Sequence, residues 1–363
     1  MSELALIVAR LIHRGTSGTD PAARETWIRR HRLEPLVYGV EIDDLPVRPE
    51  FLAECRQAYL NMTGRAVTFL RESQRLVEVL HRACIPSVAW RGVVHGEELY
   101  GDPGLRYCTD IDVIVEPAQR AAALDVLLAD GYTLRNRLIP RWYLHRHHLH
   151  WPLIRADGAI PVDLHWAVDH PYKNMTLPVD LAAMSRMDGK LQMAVYHAEK
   201  ECRLSHAGSV SDAIDQVLRE GPLLPWIDLV LMVNRATSNE LAEAGRQCRE
   251  RGHGELWSRS MELVRGLGEE SVSSLETAPR AGSLHAASLA GRFAYRIGCR
   301  PEVLTDWLDY VLARSCARHW TGRVADHLTR WAKLFRLGFD TVACGIWMAV
   351  RKVTFRRDRT VMA

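Results

Sequence analysis

At 363 residues, with 47% apolar and 25% charged side chains, the chain has an ordinary globular composition and the length for two or three folding units, which excludes disorder and fibrous repeats. Its 47 basic and 44 acidic side chains nearly cancel to a formal +3, so charge gives no argument for a nucleic-acid partner. The 8 cysteines, scattered from Cys55 to Cys344 without a CxxC pair, read as reduced thiols of a cytoplasmic protein.

The opening "MSELALIVARLIHRG" carries Glu3, Arg10 and Arg14 inside its apolar run and lacks a small-residue cleavage site, so it reads as an amphipathic helix rather than a signal peptide. Helical spacing continues to Arg82, punctuated by Pro46 and Pro49. From Ile85 to Trp166 the pattern changes to short β-branched or aromatic runs: "IPSVAWRG", "DIDVIVEP", "LHRHHLHWPLIR" and "AIPVDLHWAV". A helix, "PAQRAAALDVLLADGY", lies between the second and third, with Pro117 in its first turn and Gly131 at its end. Helices resume after Pro171, among them "LAAMSRMDGKLQMAVYHAEKECRL" and "PLLPWIDLVLMVNRA".

A polar stretch, "EESVSSLETAPRAGS", reads as a surface loop before the last helices. In "LFRLGFDTVACGIWMAVRK", Arg336 and Asp340 interrupt the apolar run, so it falls short of the roughly 20 residues a spanning helix needs. Trp347 and the basic Arg351, Lys352, Arg356 and Arg357 would suit peripheral contact with an anionic membrane surface. Base rates favour a helix docked on the protein body with a solvated basic tail. The expected division is a helical segment over 1–82, an α/β core over 83–170 and a helical domain over 171–363.

Within "TDIDVIV", strand alternation sends Asp110, Asp112 and Ile114 to one face and Ile111, Val113 and Val115 to the other. Two carboxylates on one face repel, and a divalent cation relieves the cost most simply because it prefers hard oxygen ligands. A face open to water would relieve it too, and a lone DxD does not decide between them.

The next pair of strands adds to the acidic face. Asp157-Gly158 is a favoured two-residue hairpin turn. Counting outward from it sets Pro152 opposite Asp163, His150 opposite His165 and Leu149 opposite Trp166. One face then holds Leu149, Trp151, Leu153, Ile160, Val162, Leu164 and Trp166 and reads as core, while His148, His150, Asp163 and His165 share the other. If this hairpin continues the sheet beside "DIDVIV", Asp163 joins Asp110 and Asp112 in a seat for two metal ions. The cluster "HRHHLH" over 145–150, with His165, offers a rival transition-metal site, since imidazole suits zinc, iron or nickel. Its spacing matches no familiar zinc pattern.

Upstream, Arg91-Gly92 stands between a strand and a helix, where glycine lets backbone N–H groups approach an anion and arginine can grip phosphate. An ordinary strand-to-helix turn would use the same residues.

These residues together resemble a nucleotidyltransferase family of the polymerase-β-like superfamily. "AWRGVVHGEELYGDPGLRYCTDIDVIVEP" followed by "GAIPVDLHW" matches its order of a basic residue and glycine, an arginine, an SDIDLLV-like strand and VDLHW. The resemblance implies an α+β fold, a small mixed sheet flanked by N-terminal and C-terminal helices. It makes Asp110, Asp112 and Asp163 the catalytic metal-binding carboxylates for two Mg2+ ions, with Mn2+ as a substitute. Arg91, Gly92, Arg106 and His165 become phosphate- or substrate-binding residues. The implied reaction moves a nucleoside monophosphate from a triphosphate such as ATP to a small-molecule or peptide acceptor, as in bacterial natural-product or polysaccharide biosynthesis, with no nucleic acid involved. His165 is expected to orient the acceptor or a carboxylate, and Asp163 to draw the proton from the nucleophile.

Two departures mark this chain. The superfamily's Gly-Ser turn is absent, and Arg91 stands where the family has lysine. The alternative is a catalytically inactive nucleotide- or partner-binding protein that retains the fold. Asp228, an acid in the apolar "LPWIDLVLM", reads as lying on an exposed helix face or as the partner of a nearby arginine.

Overall fold

The structure is a computed structural model that describes residues 3–40, 42, 45–135, 139–158, 160–167, 180–202, 210–220 and 222–268, with Arg336, Asp340, Ala343 and Cys344. The chain forms two units. The first comprises Met1–Arg135, His150–Asp169 and Met175–Val272, and the second Asn136–Leu149, His170–Asn174 and Ser273–Ala363.

The first unit begins with helices α1 (Glu3–Gly15), α2 (Pro21–Arg30), α3 (Glu34–Gly39) and α4 (Pro49–Arg82). Asp20 caps α2 by accepting the Ala23 N–H, and Pro21 occupies the first turn, where a missing N–H costs nothing. α4 runs for 34 residues, about 50 Å at the usual helical rise. Then come β1 (Ser87–Trp90), α5 (Gly92–Tyr100), β2 (Ile111–Val115), a 3₁₀ turn over Pro117–Gln119, α6 (Arg120–Ala129) and β3 (Tyr132–Leu134). The turn and helix follow the expected Pro117 start and Gly131 end, with Gly131 at φ +93°.

α7 (Arg141–His147) belongs to the second unit. The chain returns to the first unit with β4 (His150–Arg155) and β5 (Pro161–His165), then α8 (Leu181–Met184), α9 (Met187–Cys202), α10 (Val210–Glu220), α11 (Leu224–Arg235), α12 (Ser238–Glu250) and α13 (Gly254–Gly268).

The strands form one sheet in the order β1-β2-β5-β4-β3. β2 and β5 are parallel and the other neighbours antiparallel, so the sheet is mixed and the fold is α+β. The hairpin register is the one counted from Asp157-Gly158: His150 faces His165 and Pro152 faces Asp163. Trp151, Leu153, Val162, Leu164 and Trp166 are buried as expected, and the rings of Trp151 and Trp166 lie 5.1 Å apart.

The acidic face of β2 is not open to water. Trp90 and Ile114 on that face pack with Leu181 and Met184 of α8 and Met193 and Tyr196 of α9. α4 packs along β1 and β2, and every residue of β2 is buried. The surrounding helices share one apolar core that runs from Leu4 of α1 to Leu267 of α13.

Two expectations need correction. "LHRHHLH" was expected as part of a strand, but α7 extends through His147 and β4 begins only at His150. Apolar residues in so short a run fit either period, and tertiary packing chose the helix. β3, a three-residue strand after Gly131, was not expected at all.

In the second unit, His147 and Arg146 of α7 contact the Asp340 carboxylate at 2.7 and 3.0 Å, and Tyr143 packs with Cys344. The expected loop "EESVSSLETAPRAGS" and the Trp347 segment with its basic tail lie outside the described residues. Among the described residues, no helix is long and apolar enough to cross a membrane. Cys55, Cys84, Cys108 and Cys248 are free thiols.

Candidate active site

The centre of the site follows from strand parity. β2 and β5 run parallel with Asp112 paired to Asp163, which sets two carboxylates side by side in adjacent strands. Asp110 lies just before β2, two residues from Asp112.

Burial sets the electrostatics of the three acids. Burial raises the Asp110 carboxyl, and repulsion from Asp112 adds to it. Asp163 is pushed up to about 6, first by burial and then by Asp112 and Asp110, against the pull of His165. Burial would raise Asp112 as well, yet the Arg91 charge and the His165 hydrogen bond outweigh it and hold this carboxyl well below the usual range. One acid is thus firmly ionised between two that bind protons more readily.

Arg91 Nη2 lies 3.0 Å from Asp112 Oδ2, and His165 Nε2 lies 2.8 Å from Asp112 Oδ1. Asp163 is less well met. Its Oδ2 is 3.5 Å from His150 Nε2, beyond a good hydrogen bond, and its Oδ1 is buried with no partner among the described residues.

Arg91 is held in an unusual backbone state, φ +57° and ψ −154°, at the entry to α5. A residue with a Cβ adopts that region at a cost and persists there only when its surroundings fix it. Here the guanidinium stacks 4.4 Å over the Trp90 ring, pairs with Asp112 and donates to His197 of α9 at 2.8 Å. Gly92 follows at φ +49°, and a Cβ there would sit 3.4 Å from the Asp110 carbonyl oxygen. Glycine therefore serves the backbone conformation, since the Cβ itself would find ordinary contact distances.

Arg106 departs from its expected role. Its guanidinium forks onto Asp228 of α11, with Nε 3.0 Å from Oδ1 and Nη2 2.7 Å from Oδ2. Tyr100 donates to the same carboxylate at 2.8 Å and His95 contacts it at 3.2 Å. Arg106 is 6% exposed and Asp228 2%. With its donors so engaged, Arg106 is not presented to the acidic trio, and its phosphate role is not carried forward. Asp228 proves to be an arginine's partner rather than part of an exposed helix face. The cluster ties α11 to α5 and to the segment entering β2, and so steadies the helix whose first turn holds Arg91.

The model of a family of uncharacterised nucleotidyltransferases matches residues 18–252. The chain belongs to that family. Among curated proteins, none matches the sequence. The family match covers all five strands and helices α2 through α12, so the acidic pair, Arg91, His165 and the buried Arg106–Asp228 cluster lie within it. The family match thereby supports nucleotidyl transfer as the general function.

Reading the sequence alone missed His197, and while it allowed Asp228 an arginine partner, it did not name Arg106, Tyr100 or His95. His197 sits in "VYHAEK", where one histidine in a helix carries no signal, and it meets Arg91 across 106 residues. Asp228 did carry one: an acid inside the apolar "LPWIDLVLM" needs a buried partner.

Proposed function

We propose that the chain is a divalent-cation-dependent nucleotidyltransferase that moves a nucleoside monophosphate from a nucleoside triphosphate to a small-molecule or peptide acceptor. The in-register pairing of Asp112 with Asp163, beside Asp110, carries this reading. The donor set suits a hard cation: the acids are carboxylates, Asp163 Oδ1 lacks a partner, and the mutual repulsion that raises Asp110 and Asp163 calls for positive charge. Asp110, Asp112 and Asp163 would hold Mg2+, or Mn2+ in its place, and the bound ion supplies neutralisation of the triphosphate and polarisation of the attacking oxygen.

The chain's own residues account for the rest. Arg91, placed beside Asp112 and braced by His197, is within a side-chain movement of an incoming phosphate, and the N-terminus of α5 at Gly92 favours the same anion. Asp163, in register with Asp112, is the carboxylate we assign to accept the nucleophile's proton. The acceptor's oxygen or nitrogen forms a bond to the α-phosphorus, the bond from that phosphorus to the bridging oxygen breaks, and pyrophosphate departs. His165 orients Asp112 rather than exchanging protons with substrate.

The test is pyrophosphate release with each triphosphate, Mg2+ and a panel of acceptors. Asp110→Asn is expected to abolish release while the circular dichroism spectrum stays that of the wild type. Equal behaviour of the two proteins would refute the assignment.

One observation favours a second reading, a nucleotide- or partner-binding protein without turnover. Both oxygens of Asp112 already have cationic or N–H partners, Arg91 and His165. Triphosphate binding by calorimetry with no pyrophosphate under any acceptor would establish it.

A further inference from the structure

The carboxylate trio is not the whole of this edge of the sheet. His150 on β4 faces His165 on β5, and Asp163 lies two residues before His165 on the same face. The two imidazole rings stand 4.9 Å apart. Each of the three residues offers one ligand atom, and these atoms all lie within 4.8 Å of one another. Donors about 2.1 Å from one ion stand roughly 3.4 Å apart in a tetrahedral arrangement, so side-chain shifts of about an ångström would close the set.

We propose that His150, Asp163 and His165 form a site for an imidazole-preferring divalent ion of the zinc class. The proposal rests on the nucleotidyltransferase reading only in that both use Asp163, and it names a different metal class at the same edge. Two imidazoles and one carboxylate are a poor match for Mg2+, which prefers oxygen and keeps its waters, and a good match for first-row transition ions.

Three features of the site agree with this. Asp163 Oδ1 is buried without a partner among the described residues, so an acceptor is left over where a cation would sit. The Asp163–His150 approach of 3.5 Å is too long to be a finished hydrogen bond and leaves space between the groups. A ligating imidazole ordinarily donates its second N–H to a carboxylate, which fixes the ring, and His165 already makes this contact with Asp112 through Nε2 at 2.8 Å. With Nε2 turned to the Asp112 carboxylate, Nδ1 is the ring nitrogen left for an ion. The strands add rigidity, since all three ligands stand on paired backbone rather than on a loop.

The test uses the full, untagged chain freed of metal with a chelator and titrated with Co2+, whose visible absorption reports nitrogen ligation. The expected result is one equivalent of Co2+ with a visible band, displaced by Zn2+ and untouched by excess Mg2+. His150→Ala should weaken Co2+ binding by more than the ~10–100-fold that loss of an outer partner costs, and Asp110→Asn should leave the band in place. His150→Gln, closer in size, should behave as His150→Ala and guards against loss of packing. The proposal is overturned by absence of a band, by a band that survives both His150 variants, or by displacement with Mg2+. The readout is independent of turnover: if pyrophosphate release fails while the Co2+ band behaves as expected, only the nucleotidyltransferase reading falls, and the reverse pattern removes only the metal site.

Discussion

Replacing Asp163 with asparagine should make the metal-free protein more stable, and the gain should depend on pH. The Asp163 carboxyl, ordinarily 3.8, is pushed up to about 6 in the fold, chiefly by burial. That difference disfavours the ionised folded form by about 3 kcal/mol at neutral pH. Below about pH 4 the folded and unfolded chains both carry the proton, and the penalty is absent. Between 4 and 6 the folded chain binds more of it, so this group's contribution makes stability fall as pH rises through that window. Above 6 the penalty is complete. Asparagine carries no charge and escapes it. Urea unfolding in chelator at pH 7.5 and pH 4.5 is the assay, comparing wild type with Asp163→Asn at each pH so that all other titrations cancel. The variant is expected to be more stable by up to about 3 kcal/mol at pH 7.5 and by only about 1 kcal/mol at pH 4.5. A variant no more stable at pH 7.5, or one with the same gain at both, would show that burial and like charge do not strain this carboxylate.

Four further outcomes follow from the same coordinates. Asp228→Asn should cost roughly 3–5 kcal/mol by denaturant unfolding, because it strands a buried guanidinium, whereas Arg106→Met with Asp228→Leu should cost less than the two single changes together. Gly92→Ala should cost about 1–2 kcal/mol from its φ of +49° and should also depress pyrophosphate release, since relief of that strain shifts the start of α5 beside Arg91. Glu25, held down to about 2 mainly by its hydrogen bond from Arg48, contributes stability that is present above pH 4.5 and lost as pH falls toward 2; Glu25→Gln should flatten the acid limb of the stability profile over that window. Trp151→Ala should destabilise by about 3–5 kcal/mol, as its 2% exposure and contact with Trp166 require, with a lowered thermal midpoint as the readout.

Much of the site was legible because it depends on period-2 alternation and one turn. Asp157-Gly158 set the hairpin register, and the register set His150, Asp163 and His165 on one face. The pairing of Asp112 with Asp163 needed one further step, the placement of β5 beside β2, which the family resemblance supplied and the strand order now shows. The cover over the acidic face was not legible. α8 and α9 come from chain well beyond the sheet, and nothing in "LQMAVYH" says that Met193, Tyr196 and His197 will meet Trp90, Ile114 and Arg91. "LHRHHLH" and the three residues of β3 failed for a simpler reason: each run is too short for its period to be told apart.

The two arginines of the resemblance illustrate how burial separates scaffold from site. Arg106 and Asp228 meet through a forked contact, both nearly inaccessible, with Tyr100 and His95 saturating the carboxylate. Opening that assembly would strand two charges in an apolar interior, so it acts as a fixed joint between α11 and the chain entering β2. Arg91 meets Asp112 through a single 3.0 Å contact, on a strained backbone, with its side chain 14% exposed. The neighbours of Asp112 are themselves acids, so under the proposed function a bound cation would take over the charge of Arg91 there, leaving the guanidinium on Trp90 and His197 and open to an anion. A salt bridge that can be exchanged in this way is suited to chemistry, and one that cannot be opened is suited to holding the chemistry in place. On the proposed reading Arg91 would be the residue that meets the triphosphate, while Arg106, through Asp228, joins α11 to the chain entering β2.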